Sequence, residues 1–254
     1  MLILVSNDDG FFSDGIKALA KRLREIGDVW LVAPDREQSA SGHSLTLHRP
    51  LRVKSASKKR EQEYMVDGTP TDCVNLAVNK LMPRRPDIVV SGINRGANLG
   101  DDVTYSGTVA AALEAALLGI PAIAMSAIPT ANDDYAYEAA ADFAAHLALK
   151  VKENGLSPGT VLNVNVPSET ALGDHRCVVA RMGKRLYSDI VEEKIDPRGK
   201  PYYWIGGSKV LSRVEPGTDC EAADQNKISV TPIQLDMTNY NFLSKLANWK
   251  LEGW

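Results

Sequence analysis

The chain has 254 residues, 44% of them hydrophobic, and a formal net charge of -3 at pH 7. This length and composition are typical of one large globular domain, or of a domain with an added segment. The charge balance lacks the basic excess with which proteins bind a nucleic-acid duplex, so we expect no such partner. Three cysteines far apart in the sequence predict a reducing, cytoplasmic location rather than a disulfide framework.

Strand and helix patterns alternate through the first two-thirds of the chain. Apolar residues recur at helical spacing from Ile16 to Ile26, and Thr69-Pro70-Thr71-Asp72 is typical of a capped helix start. Glu114 and the break at Gly119-Ile120-Pro121 divide the apolar stretch after Val109 into a buried helix, a turn and a strand, so no membrane span is expected. Strands are predicted at 2–5, 29–33, 88–90, 122–126 and 161–166, and helices at 16–26, from 69, at 106–118 and at 135–152.

This alternation predicts an α/β fold with a doubly wound, mostly parallel sheet. Residues 45–47 and 51–53 alternate like the strands of a hairpin, and 91–105 reads as a long glycine- and asparagine-rich loop. The rhythm changes near residue 176. We therefore predict a catalytic core at 1–175 and, at 176–254, an extension of hairpins, one further strand and a terminal helix.

The strongest chemical signal is the pair Asp8-Asp9, which follows the first strand directly. Ligands bind at the carboxyl ends of strands in open α/β sheets. Two adjacent carboxylates there raise each other's pKa unless a cation neutralises them. A hard ion such as Mg²⁺ or Mn²⁺ suits such oxygen ligands, and no Cys/His cluster indicates zinc. The alternative is a plain turn, because Asn7-Asp8-Asp9-Gly10 is also a common turn sequence.

A second signal is Ser106-Gly107-Thr108 at a predicted helix start, where free N–H groups and hydroxyls suit a phosphate. Ser106 as a simple N-cap is the alternative. His43 is a candidate proton donor, although a lone histidine is more often structural. We expect Asp101-Asp102 to be a solvated acidic pair and Glu114 to be a buried carboxylate with satisfied hydrogen bonds. A metal beside an anion site indicates phosphoryl chemistry.

Several blocks of sequence, in this order, resemble the SurE family of stationary-phase survival proteins, which are metal-dependent nucleoside-monophosphate phosphatases. The resemblance covers nearly the whole chain. It departs from the family at Ala115, where glycine is usual, and at Asn226-Lys227, where Gly-Tyr is frequent. The blocks are residues 4–10, 33–36 with 39–46, 68–74, 91–100 with 106–112, 217–219 and 229–232.

The resemblance implies a Rossmann-like core and an extension that forms a homodimer or homotetramer. It implies one divalent metal ion, Mg²⁺ or Mn²⁺, and nucleoside 5′- and 3′-monophosphates as substrates, with short polyphosphate as a further one. The implied metal ligands are Asp8, Asp9, Ser39 and Asn94. The implied phosphate contacts are Asn98, Ser106, Gly107 and Thr108.

As a mechanism we expect metal-activated water to attack phosphorus, with Asp8 and Asp9 as the catalytic residues that hold the ion. Direct attack by either carboxylate is disfavoured, since a metal-bound carboxylate is a poorer nucleophile. A response-regulator receiver is disfavoured, because receivers need an Asp after the third strand, where this chain has Ser91-Gly92. A haloacid-dehalogenase phosphatase is disfavoured as well, because its motif is D-x-D, whereas Asp8 and Asp9 are adjacent. A non-catalytic nucleotide sensor with the same site remains the alternative function.

Overall fold

The computed structural model describes residues 1–56, 61–169, 177–187, 191–205, 210–249 and 251. Its central sheet has nine strands in the order β3-β4-β2-β1-β5-β6-β7-β13-β8. The strands are β1 Leu2–Ser6, β2 Asp28–Pro34, β3 Val53–Ser55, β4 Glu63–Val66, β5 Ile88–Arg95, β6 Ala122–Ile128, β7 Thr160–Pro167, β8 Cys177–Val179 and β13 Ile228–Gln234.

The six strands from β4 to β7 in this order are parallel, whereas β3 and β13 pair antiparallel with β4 and β7. The prediction of a mostly parallel α/β sheet is therefore confirmed. The chain moves from β1 to β2 on one side and then returns to β5 on the other side of β1. This reversal is a topological switch point, the usual ligand site of an open α/β sheet.

The described residues form six α-helices: α1 Asp14–Leu23, α2 Pro70–Leu76, α3 Gly107–Leu117, α4 Tyr137–Asn154, α5 Asp219–Asp224 and α6 Tyr240–Ala247. One apolar core lies between the sheet and α1 with α4, and a second lies between the other face and α2 with α3. The predicted capping box of α2 is present, with Thr69 and Asp72 bonded reciprocally. No helix in the described ranges is long and apolar enough to cross a membrane.

Two local predictions were wrong. The predicted hairpin between residues 45–47 and 51–53 is absent, since residues 45–47 form no strand. Strand β3 pairs with β4 instead, and β4 pairs with β2 on its other side. The loop predicted from Ser91 begins later, because β5 continues to Arg95 through an irregular register between Ser91 and Asn94. This extension carries Asn94 beyond the end of β1, where it pairs with Ser126 of β6.

The C-terminal region contains the predicted hairpin, strand and helix. The strands β10 Val191–Ile195 and β11 Pro201–Ile205 form an antiparallel hairpin, and β9 Lys184–Tyr187 pairs with β12 Val210–Arg213. The predicted boundary at 175/176 falls outside the described residues. Two strands from beyond it, β8 and β13, belong to the central sheet.

Candidate active site

A cavity of about 310 Å³ opens at the switch point, where the loops after β1, β2 and β5 meet the start of α3. We call it the acidic cavity. It is lined by all four predicted metal ligands and by two of the four predicted phosphate contacts: Asp8, Asp9, Ser39, Asn94, Asn98 and Ser106. Residues that lie far apart in the sequence thus converge on one space.

Asp8 is buried against the first turn of α3. Its Oδ1 accepts a hydrogen bond from the Thr108 hydroxyl. A Cβ on Gly107 would lie 2.8 Å from the Asp8 Cβ and 3.0 Å from its Oδ2, so only glycine permits this approach. Gly107 and Thr108 contact Asp8 and are not among the described residues that line the acidic cavity. Burial raises the pKa of Asp8, and the hydrogen bonds from Thr108 and Gly107 lower it in part.

Asp9 lies beside Asp8 and also lines the acidic cavity. Its Oδ2 accepts the backbone N–H of Arg95 at 2.9 Å, whereas the Arg95 guanidinium bonds to Asp133 at 2.8 Å. In the described part of the chain, neither Asp8 nor Asp9 forms an ion pair. Burial and the neighbouring Asp8 carboxylate raise the pKa of Asp9 to about 6. The two acids thus hold negative charge that a bound cation would neutralise.

The two neutral candidate ligands are oriented to offer oxygen. Asn94 donates through Nδ2 to the carbonyl of Gly96 at 2.9 Å, which leaves its Oδ1 as an acceptor. Ser39 donates its hydroxyl proton to Glu37, so its oxygen lone pairs remain available. Among the described residues, no group of three or more His, Cys, Asp or Glu side chains is gathered at one point. Two carboxylates with hydroxyl and amide oxygens fit a hard divalent ion.

The N-terminus of α3 forms another wall of the acidic cavity. Ser106 is the N-cap, as the alternative interpretation expected, because its Oγ accepts the N–H of Val109 at 3.1 Å. Capping uses the hydroxyl as an acceptor, so its proton remains free to donate to a ligand. Ser41 lies close to Gly107, and its buried Oγ has no partner among the described residues.

Asn98 is held in place by two asparagines that sequence reasoning missed. Its backbone N–H donates to Asn165 Oδ1 at 2.8 Å. Its carbonyl accepts Nδ2 of Asn163 at 2.9 Å and Nδ2 of Asn165 at 3.0 Å. Its own Nδ2 donates to Ser126 at 2.8 Å. The signal for this cluster is the presence of two asparagines, two residues apart, in the otherwise apolar strand β7, since such residues share one face.

His43 lies outside the acidic cavity, in a neighbouring pocket that also includes Ser106. Its Nε2 lies 2.9 Å from Glu114 Oε2, and Asn75 donates to Glu114 Oε1 at 2.9 Å. Glu114 is therefore the hydrogen-bonded buried carboxylate that the sequence predicts. The hydrogen bond from His43 lowers the pKa of Glu114, although burial opposes it.

Asp102 differs from the expected solvated acid. It lines the acidic cavity and pairs with Arg185 at 2.9 Å, with both side chains only 17% exposed. Asp101 is exposed. The ion pair connects the loop before α3 to the C-terminal region, so that region supports the cavity wall.

Asp9 gives a pH-dependent prediction for the metal-free protein. Its folded-state pKa exceeds that of an unfolded aspartate, so the folded chain binds more protons between about pH 4 and about pH 6, and stability falls as pH rises through that window. In chelator, Asp9→Asn should therefore become more stable than the unsubstituted chain above about pH 6, by about 1–2 kcal/mol after solvent screening, and gain little below pH 4. Thermal unfolding at several pH values measures this. A stability difference that shrinks as pH rises contradicts it.

Sequence comparison with known proteins finds one family and relatives over the full length of the chain. The family model described as "Survival protein SurE" matches residues 3–189. The chain is 55% identical to "5'-nucleotidase SurE" of Geobacter sulfurreducens over 100% of this chain and 95% of the relative. It is 52% identical to the protein of the same name from Geotalea daltonii, over 99% of this chain and 100% of that one.

A solved structure has the same fold as this chain. The crystal structure of the SurE protein from Aquifex aeolicus is similar with a TM-score of 0.85 and 42% identity, over 98% of this chain and 100% of that chain. The predicted resemblance and the predicted fold are thereby confirmed. The chain belongs to the SurE family, and the two relatives named above are 5′-nucleotidases.

Proposed function

We propose that this protein is a metal-dependent phosphatase that hydrolyses nucleoside 5′-monophosphates, and also 3′-monophosphates and short polyphosphate. The observation that carries the proposal is the junction of two features in one cavity. Two adjacent carboxylates, Asp8 and Asp9, line the same cavity as Ser106 at the N-terminus of α3. The names of the relatives, at 55% and 52% identity over the full chain, support the same substrate class.

We propose that one group of these residues binds the metal and another binds the phosphate. Asp8, Asp9, Ser39 and Asn94 would hold one divalent ion, Mg²⁺ or Mn²⁺. Ser106 and Asn98 would donate to the phosphate oxygens, helped by the positive end of the α3 dipole. Thr108 and Gly107 contact Asp8 in this structure, so their role as phosphate contacts stays a prediction.

The reaction needs a nucleophile and a proton for the leaving group. When bound, a divalent ion supplies positive charge to the phosphate and lowers the pKa of water. Water attacks phosphorus, the P–O ester bond breaks, and the departing alkoxide takes up a proton. His43 is the candidate donor, because its pocket meets the acidic cavity at Ser106. Donors at Ser106 and Asn98 stabilise the charge that develops on the phosphate.

The direct experiment is release of phosphate from nucleoside monophosphates by the purified chain. Nucleotides are tested with Mg²⁺, with Mn²⁺ and with chelator. We expect turnover that chelator abolishes and that either ion restores. A nucleotide sensor would bind the same substrates without turnover, which would overturn the proposed activity.

Self-association is proposed for the C-terminal hairpin. An isolated two-stranded hairpin is marginally stable in water, yet β10–β11 exposes large apolar side chains. The pairing of β10 with β11 places Val191, Ile195, Tyr203 and Ile205 on one face, with Pro201 and a single charged residue, Glu193 opposite Tyr203, on the same face. Exposed contiguous apolar surface of this kind marks an interaction site. We infer that a second copy covers it, giving a homodimer or homotetramer.

Adjacent tyrosines on opposite faces of β11 test this interface. Tyr203→Glu places a second carboxylate on this face, opposite Glu193, and should lower the oligomer mass measured by light scattering. Tyr202→Glu introduces the same change on the face that carries Lys194 and should leave the mass unchanged. A monomeric unsubstituted chain, or equal loss in both variants, contradicts the assignment.

We also infer a cytoplasmic location. Cys73 is a buried thiol, and Cys177 is an exposed free thiol. Free exposed thiols are typical of a reducing compartment.

A further inference from the structure

A second cavity, of about 300 Å³, adjoins the acidic cavity along α3. We call it the α3 pocket. Ser106 lines both cavities, so a phosphate bound at Ser106 would lie at the mouth of the α3 pocket. The alcohol part of a phosphate ester bound at Ser106 would therefore lie next to the α3 pocket.

One stripe of α3 forms the floor of the pocket. Ser106, Ala110 and Leu113 all line it, and residues at spacings of four and seven lie on one side of a helix. Seven residues of helix rise by about 10 Å. The pocket therefore leads away from the phosphate position for a distance comparable to the length of a nucleoside.

The opposite wall is apolar and adaptable. Ile233, Leu235, Met182 and Met237 face α3 across the pocket. Methionine side chains adjust to different shapes and make favourable contacts with aromatic rings. His43 and Gln234 add polar groups to the lining, and none of the described lining residues carries a carboxylate. Such walls suit a flat, uncharged, partly apolar group.

We propose that the α3 pocket holds the nucleoside of the substrate, its sugar next to Ser106 and its base between Leu113 and the two methionines. This inference rests on the proposed nucleotidase function and names the part of the chain that recognises the leaving group. Because apolar contact dominates the lining, the pocket accepts purines and pyrimidines with little discrimination.

Another cavity, on the other side of Asp9, is a less suitable site for the nucleoside; we call it the rival cavity. That cavity is lined by Asp9, Asp14, Glu37, Arg95, Tyr135 and Tyr137. The two tyrosine rings stack on each other with centroids 5.4 Å apart, and the Arg95 guanidinium lies over Tyr135. These rings are already in contact with one another and with a cation. The three carboxylates surround a strongly polar space.

The test compares substrate affinity with phosphate affinity in matched variants of the full-length protein. Leu113→Trp fills the α3 pocket, and Leu117→Trp makes the same change on the exposed face of α3. We expect Leu113→Trp to raise KM for AMP about tenfold through loss of space. The inhibition constant for inorganic phosphate should be the same in both variants. Equilibrium dialysis of radiolabelled adenosine should show binding that Leu113→Trp abolishes and Leu117→Trp retains.

Three results would overturn the inference. One is an unchanged KM in Leu113→Trp; another is a parallel change in KM and in phosphate inhibition. The third is a selective rise in KM caused by Tyr135→Ala instead, which would place the base in the rival cavity. Failure of the nucleotidase proposal is distinguishable, because the unsubstituted chain would then release no phosphate while adenosine dialysis still reports on the pocket.

Discussion

Asp9→Asn should lower kcat/KM for nucleotide hydrolysis by about 1,000-fold, because a metal supplies several kcal/mol of transition-state stabilisation and each 1.4 kcal/mol is tenfold. The amide keeps the size of the side chain and the acceptor for the Arg95 N–H. It removes the charge on which ion binding depends. Phosphate release at saturating Mg²⁺ or Mn²⁺ measures the effect.

A matched control is Asp101→Asn, which removes one negative charge near the same cavity from an exposed position. Its activity should stay within about twofold of the unsubstituted chain, since exposed charges act weakly. Unfolding cannot explain the loss in Asp9→Asn, because that variant is expected to be the more stable one without metal. Full divalent-dependent activity in Asp9→Asn would show that the metal assignment is wrong.

Asn165→Leu is the second large effect we expect. Leucine is similar in size but makes neither bond to the Asn98 peptide, and a buried group left unsatisfied costs about 1–3 kcal/mol. The free energy of unfolding should fall by about 2–4 kcal/mol. Activity should fall by about 10- to 100-fold, because Asn98 loses the support that fixes its position in the cavity.

Asn163→Leu calibrates this result. Asn163 gives only one bond to the Asn98 carbonyl, which keeps its bond from Asn165, and its own buried Oδ1 has no partner among the described residues. The stability loss should therefore be about 1 kcal/mol or less. Denaturant unfolding and phosphate release compare the two variants. Equal losses in both, or undiminished activity in Asn165→Leu, would remove Asn165 from its positioning role.

The sequence predicts the parts of the site that depend on strand order. Apolar runs ending in polar residues are local signals, and the carboxyl ends of parallel strands meet at one edge. Asp8 and Asp9 after β1 could therefore be placed at this edge before any coordinates. The SurE resemblance supplied Ser39, Asn94 and Asn98, whose positions in predicted loops have no periodic signal.

Contacts between side chains that lie far apart in the sequence could not be predicted. No local sequence pattern shows that the Thr108 hydroxyl donates to Asp8 or that Gly107 packs against it. The pair Asp102–Arg185 joins residues 83 positions apart. The hairpin predicted between residues 45–47 and 51–53 was wrong, because β3 pairs with the distant strand β4, which in turn pairs with β2.

The most direct test of the central claim is a crystal structure of the chain with Mn²⁺ and AMP, measured at the manganese absorption edge. We predict one anomalous peak for each chain, in contact with oxygens of Asp8, Asp9, Ser39 and Asn94, with the phosphate between it and Ser106. Manganese bound elsewhere, or no peak in this cavity, would contradict the account.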